Sequence, residues 1–185
     1  MKEEIEKAIG FLKEGKTILC PSDTLWGISC DATNYEAVKK IFSIKKREES
    51  KSLIVLVSSI EMLETLTETT VPNILSLISS FQKPVSIVFP NAKNLAKNTI
   101  AKDGSIAIRL VKEGFCKELI TAFGKPMVSS SANFSGEKSP LSFSEIEQKF
   151  KEKIDFIVPN KYENTNNTSS TIIKIVNSEI IILRG

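Results

Sequence analysis

Apolar residues recur at helical spacing from the start of the chain. Ile5, Ala8, Ile9 and Leu12 share one face, and Gly15 follows as a stop. Residues 17–20 then read as a short buried strand, residues 21–24 as a turn, and residues 25–30 as resumed extended chain. Residues 34–44 carry Ala37, Val38, Ile41 and Phe42 on one helical face, and the polar, basic stretch 45–52 follows. An apolar strand is expected over 53–57. Ser58 and Glu61 have capping-box spacing for the next helix, and Thr70-Val71-Pro72 opens another that runs to about Ser80. Strands are expected over 85–89, 105–110 and 127–130, with a helix over 115–123 between the last two. Ser142 and Glu145 again have capping-box spacing, for a helix reaching Phe150. A strand over 156–158, a mobile polar loop over 160–168, and strands over 171–176 and 180–183 complete the chain. Strands and helices interleave throughout, which predicts one three-layer α/β domain over residues 1–185 built around a mixed sheet.

Composition narrows the chemistry. With 185 residues, 41% hydrophobic and 25% charged, the chain fits a globular domain with a full core. It has no uncharged apolar run of about 18 residues, and its first residues are acidic, so neither a membrane span nor a signal peptide is expected. The expected location is the cytoplasm. Cys20, Cys30 and Cys116 lack a Cys-x-x-Cys pair and read as small buried residues. The chain has no histidine, which removes a His general base, a His-assisted nucleophile and His-rich metal ligation. The net charge of +3 does not by itself mark a nucleic-acid binder.

Residues 10–17 match the phosphate-loop spacing G-x-x-x-x-G-K-[ST]. A phosphate loop needs a strand before it and a helix after it, and here the order is reversed. Gly15 as a helix stop explains the match.

Three polar clusters interrupt the apolar strand ends. Pro21-Ser22-Asp23-Thr24 sets two hydroxyls and a carboxylate in a turn. Lys45-Lys46-Arg47 with Lys51 reads either as a solvated charge run or as a phosphate clamp, since a guanidinium fork and compact ammonium charge both suit phosphate. Ser129 to Gly136 is a hydroxyl- and amide-rich loop able to hold a nucleotide or an amino acid. Arg109 lies in an apolar strand and must be paired, by an internal carboxylate or by an anionic ligand. Arg184 ends the last strand. The clusters offer cations and hydroxyls but few carboxylates, which suits an anionic substrate better than a protein-built metal cage.

These segments resemble, in order, the motifs of the YrdC/Sua5 family of threonylcarbamoyl-adenylate synthases. Pro21 to Gly27 is similar to P-T-D-T-x-Y-G, and Lys45 to Leu53 to K-x-R…P-L. Lys83 to Val88 is similar to G-P-L-T-L-I, and Ser105 to Arg109 to T-V-A-V-R. Pro126 to Gly136 with Ser139-Pro140 is similar to P-L-V-x-T-S-A-N-x-S-G…S-P. Ser170-Thr171 and Leu183-Arg184-Gly185 match the closing S-T and L-R-x-G elements. The resemblance implies a YrdC-like twisted mixed sheet flanked by helices and a deep positive cavity. It implies that L-threonine, bicarbonate and ATP are the substrates, that Mg2+ arrives with the ATP, and that the product serves tRNA modification through a downstream threonylcarbamoyl transferase. Carried over by position, Thr24, Arg109, Ser131 and Ser170 would hold threonine. Arg47, Lys51, Ser105, Asn133, Ser139 and Arg184 would hold ATP, and Lys45 would join Arg47 at the reacting phosphate.

The chain departs from the family pattern at Ser22, Ser52, Gln82-Lys83 and Val111, and has no histidine near Leu56. The alternative readings are an RNA-gripping module of the same fold, and a paralogue acting on another amino acid or carbamoyl donor.

Overall fold

The structure is a computed structural model and describes residues 1–48, 53–69, 71–163, 168–176 and 179–185. Helix α1 (Lys2–Lys13) buries Ala8 and Leu12, and Gly15 at φ 71° turns the chain out of it toward the first strand. Strands β1 (Ile18–Pro21) and β2 (Trp26–Asp31) form an antiparallel pair on either side of the Ser22–Leu25 turn. Helix α2 (Tyr35–Lys45) is capped by the Asn34 side chain, which accepts from the Ala37 N–H. It packs against β2.

Next come β3 (Ile54–Val57), the short helices α3 (Ile60–Glu64) and α4 (Ile74–Ser79), and β4 (Val85–Phe89). They are followed by β5 (Ile106–Leu110), α5 (Gly114–Phe123) and β6 (Met127–Ser131). Helix α6 (Gln148–Lys151), β7 (Phe156–Ile157), β8 (Thr171–Val176) and β9 (Glu179–Arg184) end the chain. Among the described residues nine strands form one mixed sheet in the order β7-β1-β2-β6-β3-β5-β4-β8-β9. Helices α1 and α5 pack on each other and on β1, and the interior is continuous from Ala8 through Ile173.

Strand ends shift by a residue or so, and the larger departures are at three helices. The cap of α3 is Ser59, whose hydroxyl accepts from Met62 N at 3.1 Å, so the Ser58–Glu61 capping box does not form. Helix α4 begins after Asn73, leaving Pro72 in the preceding turn. The helix expected from Ser142 to Phe150 splits into a 3-10 turn at Phe143–Glu145 and α6, because Glu145 caps Leu141 N (2.9 Å) and Ser142 bonds Ser144 instead. Of the expected mobile loop, residues 160–162 form a 3-10 turn, and residues 164–167 lie outside the described residues. The cysteines are free and buried. Among the described residues no helix is long and apolar enough to cross a membrane.

Candidate active site

The sheet order brings strand ends from distant parts of the chain around one cavity of about 340 Å³, within the range of small-ligand sites. Thr24, Arg47, Arg109, Ser131, Ser139, Ser170 and Arg184 line it. Leu53, Ile54, Val88, Ala107, Ile172 and Leu183 add apolar wall.

One rim is the β1–β2 turn, which is wired by its own hydroxyls. Ser22 Oγ donates to the Leu25 carbonyl at 2.8 Å and accepts from the Thr24 N–H at 3.2 Å. Ser22 and Thr24 hydroxyls lie 2.9 Å apart. A hydroxyl has one proton, and that of Ser22 goes to Leu25.

Arg109 rises from β5, and its Nη2 lies 3.3 Å from Ser22 Oγ and 3.0 Å from Asp23 Oδ1. The ion pair is buried, with side-chain exposures of 5% and 11%. Asp23 Oδ1 makes no aligned hydrogen bond, so contact at this distance is an ion pair off the N–H direction, and Arg109 Nε is also buried without a hydrogen bond. An internal carboxylate, Asp23, is thus one partner of Arg109.

Opposite it, Arg184 Nη2 donates to the Ser170 carbonyl (2.9 Å) and hydroxyl (3.1 Å), while Ser86 Oγ donates to Ser170 Oγ (3.0 Å). Burial and then the nearby Arg109 charge lower the Arg184 pKa, so the two guanidiniums sense each other. Arg47 reaches the third side. Lys46 ends α2 in the left-handed conformation (φ 50°), which redirects the chain into the Arg47 position. Burial lowers the Arg47 pKa. The floor is the serine strand β6, where Gly27 stands opposite Ser131 and Ser29 opposite Ser129.

Several residues expected at the site lie elsewhere. Lys45 does not line the cavity: it is 1% exposed, and its ammonium donates to the carbonyls of Ser131 and Asn133 beneath the serine loop. Burial, with the Arg47 charge adding and Glu137 opposing, pushes its pKa down to about 7. Ser105 is outside the lining because its hydroxyl is held by Asp103 at 2.6 Å. Asn133 is turned into its own loop, donating to the carbonyls of Phe134 (2.9 Å) and Glu137 (2.8 Å). Lys51 lies outside the described residues. The sequence reading assigned no role to Asp23 or to the apolar wall. The uncompensated Arg109 signalled a partner without saying which of the chain's carboxylates it was.

A sequence model of the family described as telomere recombination, covering Sua5, YciO and YrdC, matches residues 10–185. The chain is 32% identical over 179 residues to the threonylcarbamoyl-AMP synthase of Pseudoalteromonas translucida, covering 95% of each. It is 34% identical to a putative threonylcarbamoyl-AMP synthase of Methanocaldococcus jannaschii, covering 99% of this chain and 87% of the relative. The crystal structure of P. abyssi Sua5 complexed with L-threonine superposes with a TM-score of 0.88 at 29% identity, covering 97% of this chain. The chain spans about half (53%) of that longer protein. E. coli YciO, at 17% identity and a TM-score of 0.84, shares the fold.

Proposed function

The chain belongs to the Sua5/YciO/YrdC family, and from that membership we propose that it is an L-threonylcarbamoyladenylate synthase. The observation that carries the reading is the meeting of Arg47, Arg109 and Arg184 with the hydroxyls of Thr24, Ser131 and Ser170 around one cavity. In the proposed reaction bicarbonate gives up hydroxide to form CO2, the threonine amine adds to that CO2, and the proton lost from nitrogen leaves with the hydroxide as water, giving a carbamate. A carbamate oxygen attacks the α-phosphorus of ATP, the P–O bond to the β-phosphate breaks, and pyrophosphate leaves with the electron pair.

Each residue has a task in this scheme. Arg109 takes the threonine carboxylate beside its pairing with Asp23, and Thr24, on the cavity wall, hydrogen-bonds the threonine hydroxyl. Ser131 and Ser170 complete that subsite, and Arg184 with Ser139 holds ATP near the apolar wall. Arg47 faces the charge that develops on the transferring phosphate, where fixed cations act strongest in a water-poor site. Lys45 acts through the loop it holds. Hard divalent cations take oxygen ligands, with carboxylates foremost among protein groups, and no carboxylate lines the cavity among the described residues. These residues therefore do not fit a protein-built Mg2+ cage, and the ion would enter on the ATP phosphates.

We read residues 1–185 as one domain, since the single sheet joins elements from both ends of the chain. The product is a mixed anhydride suited to a threonylcarbamoyl transferase that modifies tRNA. A cytoplasmic setting accords with the substrates and with buried free thiols. RNA gripping through the cavity is less favoured, because Trp26, an aromatic on the wall, is 2% exposed and committed to Phe143 and Glu163 rather than to stacking bases.

The test is pyrophosphate release from ATP. It should require threonine and bicarbonate together, and serine in place of threonine should support it poorly. Release without threonine, or none from folded protein, overturns the proposal. RNA affinity that falls steeply with salt and no adenylate product would favour the RNA reading.

A further inference from the structure

The Arg109–Asp23 pair deepens this reading and rests on it. A cavity that binds ATP and releases pyrophosphate holds polyanions beside a subsite meant for one amino-acid carboxylate. Arg47, Arg109 and Arg184 all line that cavity, and Arg184 senses the Arg109 charge. With three guanidiniums on its wall, a phosphate group would compete for the amino-acid place. Asp23 changes this at one of the three. Its carboxylate lies 3.0 Å from Arg109 Nη2, and Asp23 is not among the residues lining the cavity, so it offsets the guanidinium charge without taking a place on the wall. The contact is to a single nitrogen, and Nε is not engaged. Nε is buried and Nη2 donates to Ser22, so the guanidinium meets a ligand through its remaining N–H groups while its net charge is offset.

We infer that Asp23 is a specificity-determining residue, which makes the Arg109 subsite select a zwitterionic amino acid over phosphate-type dianions. The physical basis is Coulomb's law: the change in binding caused by removing a nearby charge scales with the charge of the ligand. A dianion gains most from the loss of Asp23, and a zwitterion, whose ammonium offsets its carboxylate, gains least. The Ser22 hydroxyl, also on Arg109 Nη2 at 3.3 Å, holds the guanidinium in place when the charge is altered.

The experiment compares the parent with Asp23→Asn at constant ionic strength. Asn keeps the size and an acceptor oxygen but removes the charge. Inorganic phosphate is the probe, measured by direct calorimetric binding and as an inhibitor competing with threonine. The expected result is phosphate binding tightened by roughly ten-fold or more, with the threonine KM changed by only about three-fold. A role in folding alone cannot produce this gain of binding. Unchanged or weaker phosphate binding in the folded variant overturns the inference, and Ser22→Ala, which leaves the charge in place, should give no such gain. Should Asp23→Asn fail to fold, Asp23→Glu serves: retained charge must leave phosphate binding within about three-fold of the parent, and a ten-fold gain rejects the inference. If the parent releases no threonine-dependent pyrophosphate, the synthase reading fails, while the calorimetric comparison still decides the role of Asp23.

Discussion

Lys45 at the end of α2 donates from its ammonium to the carbonyl of Asn133 at 2.7 Å, across 88 positions of sequence. The same nitrogen reaches the Ser131 carbonyl, and the Lys45 carbonyl accepts from Ser135 N at 2.8 Å. The serine loop is therefore clamped to the end of α2 from below. Both the ammonium and the neutral amine have enough N–H groups to serve two carbonyls, so the clamp survives deprotonation.

That pairing has a pH signature. Lys45 titrates at about 7 in the folded protein against 10.5 as the ordinary value. Between these values the unfolded chain binds the extra proton, so stability rises with pH upward from about 7. Burial also raises the Cys20 and Cys30 thiols, whose unfolded forms ionise near 9, so the rise is cleanest below about pH 8.5. Lys45→Met should flatten this rise and, by leaving two carbonyls without their donor, cost about 1–3 kcal/mol at pH 8. Denaturant unfolding at several pH values checks both.

Arg47→Ala should leave the fold intact and lower turnover at saturating ATP and threonine. Loss of one fixed donor facing transition-state charge costs about 3 kcal/mol, on the order of a hundred-fold in rate. Pyrophosphate release gives the number, and near-parental turnover would show that Arg47 does not face the reacting phosphate.

Gly27 is the point of closest approach on the cavity floor. A Cβ there would stand 2.5 Å from Ser129 Oγ and 3.1 Å from the Ser130 carbonyl. The hydroxyl can rotate away but the β6 backbone must shift, so Gly27→Ala should destabilise by about 1–3 kcal/mol and weaken threonine binding. Thermal unfolding and threonine titration report on the two effects separately.

Glu163 ties the 3-10 turn at Asn160–Tyr162 to the site. Its Oε1 accepts from Trp26 Nε1 at 2.7 Å and from Phe143 N at 2.6 Å. Glu163→Ala strands two donors and should cost about 1–3 kcal/mol, whereas Glu163→Gln, which keeps the acceptor, should cost less. Melting temperatures of the two variants distinguish them.

Local pattern determined much of this protein. The helical faces of α1, α2 and α5 and the apolar runs of β3, β4 and β5 follow from side-chain period and are legible without any partner. The ordered motifs likewise pointed to Thr24, Arg47, Arg109, Ser131, Ser139, Ser170 and Arg184, which meet at one cavity. Only the tertiary structure decided that Lys45 lies beneath the loop, that Ser105 and Asn133 bond locally, and that Asp23 is the carboxylate paired with Arg109. The α4 start also escaped pattern, since the helix expected to open at Thr70-Val71-Pro72 is capped by Asn73 and begins at Ile74. The reason is physical. Periodicity records which face of an element is apolar, but a buried charge takes whichever partner the strand order brings within about 3 Å, and strand order arises from pairings between residues far apart in the chain.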